Sequence, residues 1–290
     1  MRSLIVNADD FGLSPEVNAG IIRAHREGVL GSTSLMVAEA ARDEAARAAR
    51  ELPGLDVGLH LVVCKGRSVL APEAIAPLVD SNRNFVENPV LGGLRYFFRR
   101  GLRDKLRAEF RAQIEEHLRL IGYLNHIDGH LNFHVHPVLA DIMIELAAEY
   151  EVPCVRLPRE PVLTTLALAR DHAGRKLVEA VIFRSLSRRA RKLARARGIR
   201  STDWLFGLHQ SGHLSEAYVL GVIERLREGT TEIYFHPAMD VGGTPPEPGA
   251  QREVEILTSP RVKQALDARG IRLTTFRELA REDAGSHGDA

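Results

Sequence analysis

Between His126 and Pro137 the chain reads HIDGHLNFHVHP, which places His126, Asp128, His130, His134 and His136 within twelve residues. Imidazole nitrogens and carboxylate oxygens are the usual ligands of catalytic divalent metals. The even spacing sends these side chains to one side of an extended segment, and a turn would gather them around a point. Burying several imidazoles without a metal or a charge partner is costly, so the cluster favours a metal site over a polar loop of helix-capping histidines. Groups of the same chemistry lie elsewhere: Asp9 and Asp10 in NADDFG, His60 in GLHL, Arg156 in VRLPREP and His236 in FHP. Taken alone, His60 fits a core imidazole as well as a site residue, and Arg156 fits a salt bridge.

One aspartate and two histidines would leave coordination positions open, as a hydrolytic metal site requires. A bound metal could polarise a carbonyl oxygen and acidify water, a second carboxylate could take the proton, and a histidine could protonate the leaving group. Asp9, Asp10 and His236 supply those residue types. The sequence contains no GxSxG elbow, no GxxxxGK[ST] phosphate loop and no GxGxxG fingerprint to support a competing chemistry.

These residues need elements to position them. Apolar β-rich runs predict strands at Leu4–Ala8, Ser34–Val37, Asp56–Val63, Val152–Leu157, Thr231–Phe235 and Ile271–Thr275. Ser14, Pro15 and Glu16 form a helix start, and Gly28 closes that helix. Further helices are expected at the alanine-rich ARDEAARAARELPG, Leu102–Leu120, Val138–Tyr150, Leu214–Arg227, Gln251–Ala268 and Glu278–Arg281. Residues 65 to 93 read as a long excursion suited to substrate contacts. Seven or so strands alternating with helices predict an α/β fold with a parallel sheet, best met by a TIM-like (β/α) barrel of seven or eight strands. Asp9, Asp10, His60, Asp128, His130, Arg156 and His236 all fall late in, or just after, the strands, where such folds build their sites.

At 290 residues and 44% hydrophobic, the chain suits one barrel-sized domain over residues 1–282, followed by a frayed tail at 283–290. Thirty-nine Lys and Arg balance 38 Asp and Glu, a net charge of +1 that gives no global field for nucleic acid. Cys64 and Cys154 are expected as reduced thiols in a cytoplasmic protein, and no apolar run is long enough for a signal-peptide core or a membrane span. The strongest local bias is Arg184–Arg200, eight cations without one acid. It reads as a solvated helical face or as a helix on an anionic membrane surface, with nucleic acid disfavoured by the absence of aromatic residues. Monomer and homodimer both stay open.

NADDFG, GLHL, HIDGH and the late FHP, in this order and spacing over nearly the whole chain, resemble the YdjC-like carbohydrate deacetylase family. VRLPREP and HLNFHVHP look like its hopanoid-associated branch rather than its chitooligosaccharide branch. The resemblance implies a barrel that binds one divalent metal, magnesium or zinc, and removes the acetyl group from an N-acetylated amino sugar. It carries Asp10, His60 and His130 over as ligands, Asp9 as general base and His236 as acid. Asp128, His134, His136 and Arg156 then serve substrate binding or support the ligands. Leu131 and Asn132 lengthen the spacing to the downstream HVH relative to the chitooligosaccharide form. In the hopanoid-associated branch the implied substrate is an N-acetylglucosaminyl hopanoid, which would suit membrane contact at the inner membrane surface through Arg184–Arg200. The rival readings are a metal-dependent phosphoesterase or other hydrolase on the same ligands, and a non-catalytic carbohydrate- or lipid-binding barrel.

Overall fold

The structure, a computed structural model, describes residues 1–244 and 246–282; the tail expected at 283–290 lies outside the described residues. The strands are β1 (Arg2–Phe11), β2 (Ser32–Leu35), β3 (Asp56–Leu61), β4 (His126–Gly129), β5 (Cys154–Val155), β6 (Trp204–Phe206), β7 (Gly229–Phe235) and β8 (Arg272–Thr274). The first helices are α1 (Pro15–Glu27), α2 (Arg42–Glu51), α3 (Pro72–Ile75), α4 (Pro89–Phe98), α5 (Arg103–Ile121) and α6 (Pro137–Glu149). There follow α7 (Val162–Leu168), α8 (Ala173–Arg195), α9 (Glu216–Glu224), α10 (Pro248–Leu257), α11 (Pro260–Ala268) and α12 (Phe276–Arg281).

All pairings between these strands are parallel, in the order β5-β4-β3-β2-β1-β7-β6. β8 pairs with Ser3–Ile5 of β1, below the stretch of β1 that meets β2. The sheet curls into a barrel-like wall whose two ends meet through a parallel bridge between Cys154 and Arg200 and one further bond. Val155 N–H donates to Arg200 O at 2.9 Å, and Leu205 N–H donates to Arg159 O at 3.2 Å. The expected parallel α/β architecture is therefore present.

Side-chain alternation with period two sorts each strand into two faces. On β1, Leu4, Val6 and Ala8 join the apolar layer beneath the helices, while Ile5, Asn7 and Asp9 face the barrel interior. β3 behaves alike, with Val57, Leu59 and Leu61 outward and Gly58 and His60 inward. The lower interior is plugged by Ile5, Cys154, Phe276 and Leu279. The His126 ring stacks on Phe276 at 3.9 Å between centroids and fills the place a side chain at residue 58 would take, which explains Gly58.

Several expected boundaries change. The single helix expected over Gln251–Ala268 is two, because Pro260 lacks an N–H and Ser259 Oγ accepts from Arg261 N–H at 3.1 Å to start α11. The expected strand Val152–Leu157 shortens to the two residues of β5, and β6, only three residues long, has no matching expectation. The excursion at 65–93 contains α3 and the start of α4. Cys64 and Cys154 are both free and buried. Among the described residues no helix is long and apolar enough to cross a membrane.

Candidate metal centre

Adjacent residues on a regular strand point to opposite faces, so Asp9 and Asp10 should not both reach the interior. The pairing of β1 with β2 slips between Ala8 and Phe11, and Asp10 adopts a left-handed φ of 68°. This irregularity turns the Asp10 carboxylate inward beside Asp9 and returns Phe11 to the outer core. The next turn is held by Asn18, whose Oδ1 accepts from Gly12 N–H at 2.8 Å and whose Nδ2 donates to Ala41 O at 3.1 Å.

At the upper end of the barrel, Asp10 Oδ1 lies 3.2 Å from His60 Nε2 and 2.9 Å from His130 Nδ1. The other ring nitrogen of His60 meets Asp128 Oδ1 at 2.7 Å. That carboxylate holds Nδ1 and aims Nε2 at Asp10, the arrangement of a carboxylate-oriented metal ligand. His60 Nε2 is buried and has no hydrogen-bond partner, and one donor atom from each of Asp10, His60 and His130 falls within 4.8 Å of the others. The residues present therefore fit a divalent ion. Burial works against a charged His60, yet Asp128, Asp9 and Asp10 push its pKa up to about 10. Asp10 is held well below the usual carboxylate range: burial opposes ionisation, and His130 and His60 outweigh it.

Beneath this cluster sits Arg156, wholly buried. Its Nη1 and Nη2 donate to the two oxygens of Asp9 at 2.7 and 2.8 Å, and its Nε donates to Glu232 Oε1 at 2.8 Å. Nη2 also lies 3.0 Å from Asp128 Oδ2, and the guanidinium rests 4.6 Å over the Tyr234 ring. One cation thus faces three carboxylates. Burial pushes Glu232 up to about 7 despite Arg156, while Asp128 is lowered by Arg156 and His60 against its burial. Asn7 Nδ2 donates to Asp9 Oδ1 at 2.9 Å and to Ser34 Oγ at 3.0 Å, and Ser34 Oγ donates to Asp128 Oδ2 at 2.6 Å.

His236, on the loop after β7, is partly exposed, with Nε2 4.0 Å from Asp9 Oδ2; Glu253 accepts a hydrogen bond from its backbone N–H. Asp9, Asp10, His60, Asp128, His130, Arg156 and His236 therefore gather at one end of the barrel, with Arg156 and Asp128 buried beneath the rim. The last two histidines of the HLNFHVHP stretch diverge from it. After β4 the chain enters a short 3-10 segment, His130–Val135, in which Leu131 and Asn132 take left-handed φ values of 57° and 52°. These two residues break the even alternation. His134 turns below the rim, its Nε2 donating to Arg156 O at 2.8 Å, and burial pushes its pKa down to about 4. His136 packs its ring against Phe97 and Phe133.

Sequence reasoning missed Glu232, Asn7, Ser34 and Tyr234. The available signal was parity: Asn7 shares Asp9's face, and Glu232, Tyr234 and His236 alternate along β7.

A metal-competent cluster at the carboxyl ends of parallel strands, flanked by a carboxylate and a histidine, defines a barrel protein with a rim site open to substrate. The chain belongs to the YdjC-like family, whose model matches residues 3–268 under the description YdjC-like protein. It is 33% identical to a carbohydrate deacetylase of Geobacillus stearothermophilus over 284 residues, covering 96% of this chain and 98% of the relative. It is 29% identical to a chitooligosaccharide deacetylase of Proteus mirabilis, covering 95% and 98%. A solved structure from Enterococcus faecalis V583, described provisionally as a cellobiose-phosphate cleavage protein, matches with a TM-score of 0.73 and 28% identity over 96% of this chain and 98% of that one.

Proposed function

We propose that residues 1–282 form one barrel domain that acts as a metal-dependent carbohydrate deacetylase, hydrolysing the N-acetyl group of an amino sugar to acetate and a free amine. The observation that carries this reading is the Asp10, His60 and His130 group, with the buried His60 Nε2 aimed at the Asp10 carboxylate. A bound magnesium or zinc ion would supply Lewis acidity toward the acetyl carbonyl and the attacking water. Asp9, clamped by Arg156 and Asn7, would take the proton from that water as it attacks the carbonyl carbon. His236, on the open side, would deliver a proton to the sugar nitrogen as the C–N bond breaks. Asp128 orients His60, and His134 supports the backbone of Arg156.

At the finer level, the VRLPREP and HLNFHVHP patterns support an N-acetylglucosaminyl hopanoid as substrate, met by a cytoplasmic enzyme at the inner membrane surface. The basic segment supports this only in part. Arg189 is engaged by Asp141, and Arg191 donates to Ser201 Oγ and Thr202 O, which leaves Arg184, Arg188, Lys192 and Arg195 exposed on α8. A homodimer is compatible with the reading and is not required by it.

The test is acetate release from an N-acetylglucosamine conjugate, measured beside metal content. His60→Ala and His130→Ala are expected to lose both bound metal and turnover. Asp128→Asn, which removes the charge that orients His60 and faces Arg156 while keeping both metal-ligand histidines, is expected to weaken metal affinity roughly 10–100-fold. Acetate release by a metal-free His60→Ala/His130→Ala protein would overturn the assignment, and phosphate release without acetate would select a phosphoesterase.

A further inference from the structure

We propose that the rim around the metal centre docks on an anionic lipid surface, with the outer face of α4 entering the interfacial layer. Helix α4 is tied down by its inner face: Tyr96 OH donates to Val63 O at 2.8 Å, and Gly92 and Gly93 lie against Phe133. Its opposite face presents Val90, Leu91, Leu94, Phe97 and Phe98 to solvent, with Val90 68% and Phe98 72% exposed. Their spacing is that of one apolar stripe on a helix. The first half of α8 repeats the pattern with Val178, Val181 and Ile182. Among the described residues, all the exposed large apolar side chains except Met1 and Leu273 lie on segments that follow the carboxyl ends of strands. On α4 this exposure lies beside the site, because Tyr96 and Phe97 pack against Phe133 and His136, next to His130.

Charge follows the same arrangement. No acid occurs from Pro89 to Arg103, and Arg99 and Arg100, directly after the α4 stripe, are exposed and without ion pairs among the described residues. On α8 the apolar group is followed by the equally unpaired Arg184 and Arg188. Apolar rows ending in unpaired cations suit helices lying at a membrane interface, with apolar side chains toward acyl chains and arginines at the phosphates. A two-fold pairing of α4 with its copy would instead bring like charges together, which disfavours a second chain as the occupant. Phe133, which α4 covers, belongs to the 3-10 segment that carries His130, so docking would present the metal centre to the head groups. The proposal deepens the deacetylase reading, on which it rests for the substrate class: an acetylated amino sugar on a membrane-resident lipid.

The experiment is flotation of the full chain with vesicles of phosphatidylcholine alone and of phosphatidylcholine mixed with phosphatidylglycerol. Acetate release from a soluble N-acetylglucosamine oligomer is measured separately, so that vesicle binding and deacetylation can each fail alone. The unmodified chain is expected to float with the anionic vesicles. Val90→Ser/Leu91→Ser/Phe98→Ser and Arg99→Glu/Arg100→Glu should each lower binding by about tenfold or more, with turnover of the soluble oligomer unchanged. Absence of flotation, or flotation unaffected by both variants, would overturn the proposal. So would a concentration-dependent dimer that the triple variant dissociates in a chain that ignores vesicles.

Discussion

The upper and lower halves of the barrel interior are built by the same strands and differ in almost every property. On β1 the inward series runs Ile5, Asn7, Asp9, and along β5 and just past it Cys154 is followed by Arg156. Two residues along a strand separate an apolar plug from a buried ion network. Histidines report the contrast most directly. His60, among carboxylates, is pushed up to about 10, while burial pushes His126, stacked on Phe276 below it, down from its ordinary value. Burial opposes the charged form at both positions, and the placement of the carboxylates decides which imidazole keeps its proton.

The contrast breaks most severely at Arg156. Arg156→Met would leave Asp9, Asp128 and Glu232 buried without their cation, at a cost of about 3–5 kcal/mol. Urea unfolding should report this as a lower midpoint, and a midpoint unchanged from the unmodified chain would mean that the network is not held by that charge.

Phe276→Ala attacks the lower half alone. Loss of the buried ring is expected to destabilise by about 3–5 kcal/mol, toward the lower end if the plug collapses. Folded protein at low temperature should retain its metal affinity. A fall in metal affinity comparable to that of Asp128→Asn would show that the two halves are coupled.

The smallest expected effect concerns pH. His117, on α5 outside the barrel, is buried with Nε2 3.1 Å from Tyr123 O, and burial pushes its pKa down to about 3. Its folded value lies below its unfolded value, so the stability it contributes is present above about pH 6.5 and is lost as pH falls toward 3. Lowering the pH from 7 to 5 should cost about 2 kcal/mol through this group. His117→Gln should flatten that part of the profile in denaturant titrations, and an unchanged slope would place the acid sensitivity elsewhere.

Much of the site was legible because strand periodicity and chain order carry it. His60 late in an apolar run, the spacing of Asp128 and His130, and His236 closing a strand all placed candidate groups at one end of a parallel sheet. Glu232 was not legible as a partner of Arg156, because 76 residues separate them and only strand order and register bring them within 2.8 Å. Where His134 and His136 would lie was not legible for a different reason: even spacing holds while the chain is extended, and the left-handed Leu131 and Asn132 end that regularity.

By itself, then, the sequence determined the broad alternation of strands and helices, the face that residues on regular strand stretches take and the chemical types gathered near the site. These follow from local periodicity and side-chain chemistry. Only the tertiary structure decided that Asp10 turns inward beside Asp9, that one arginine serves three carboxylates and that the outer face of α4 stays exposed among the described residues. Each of these depends on which distant segments lie alongside one another, and local patterning does not encode that.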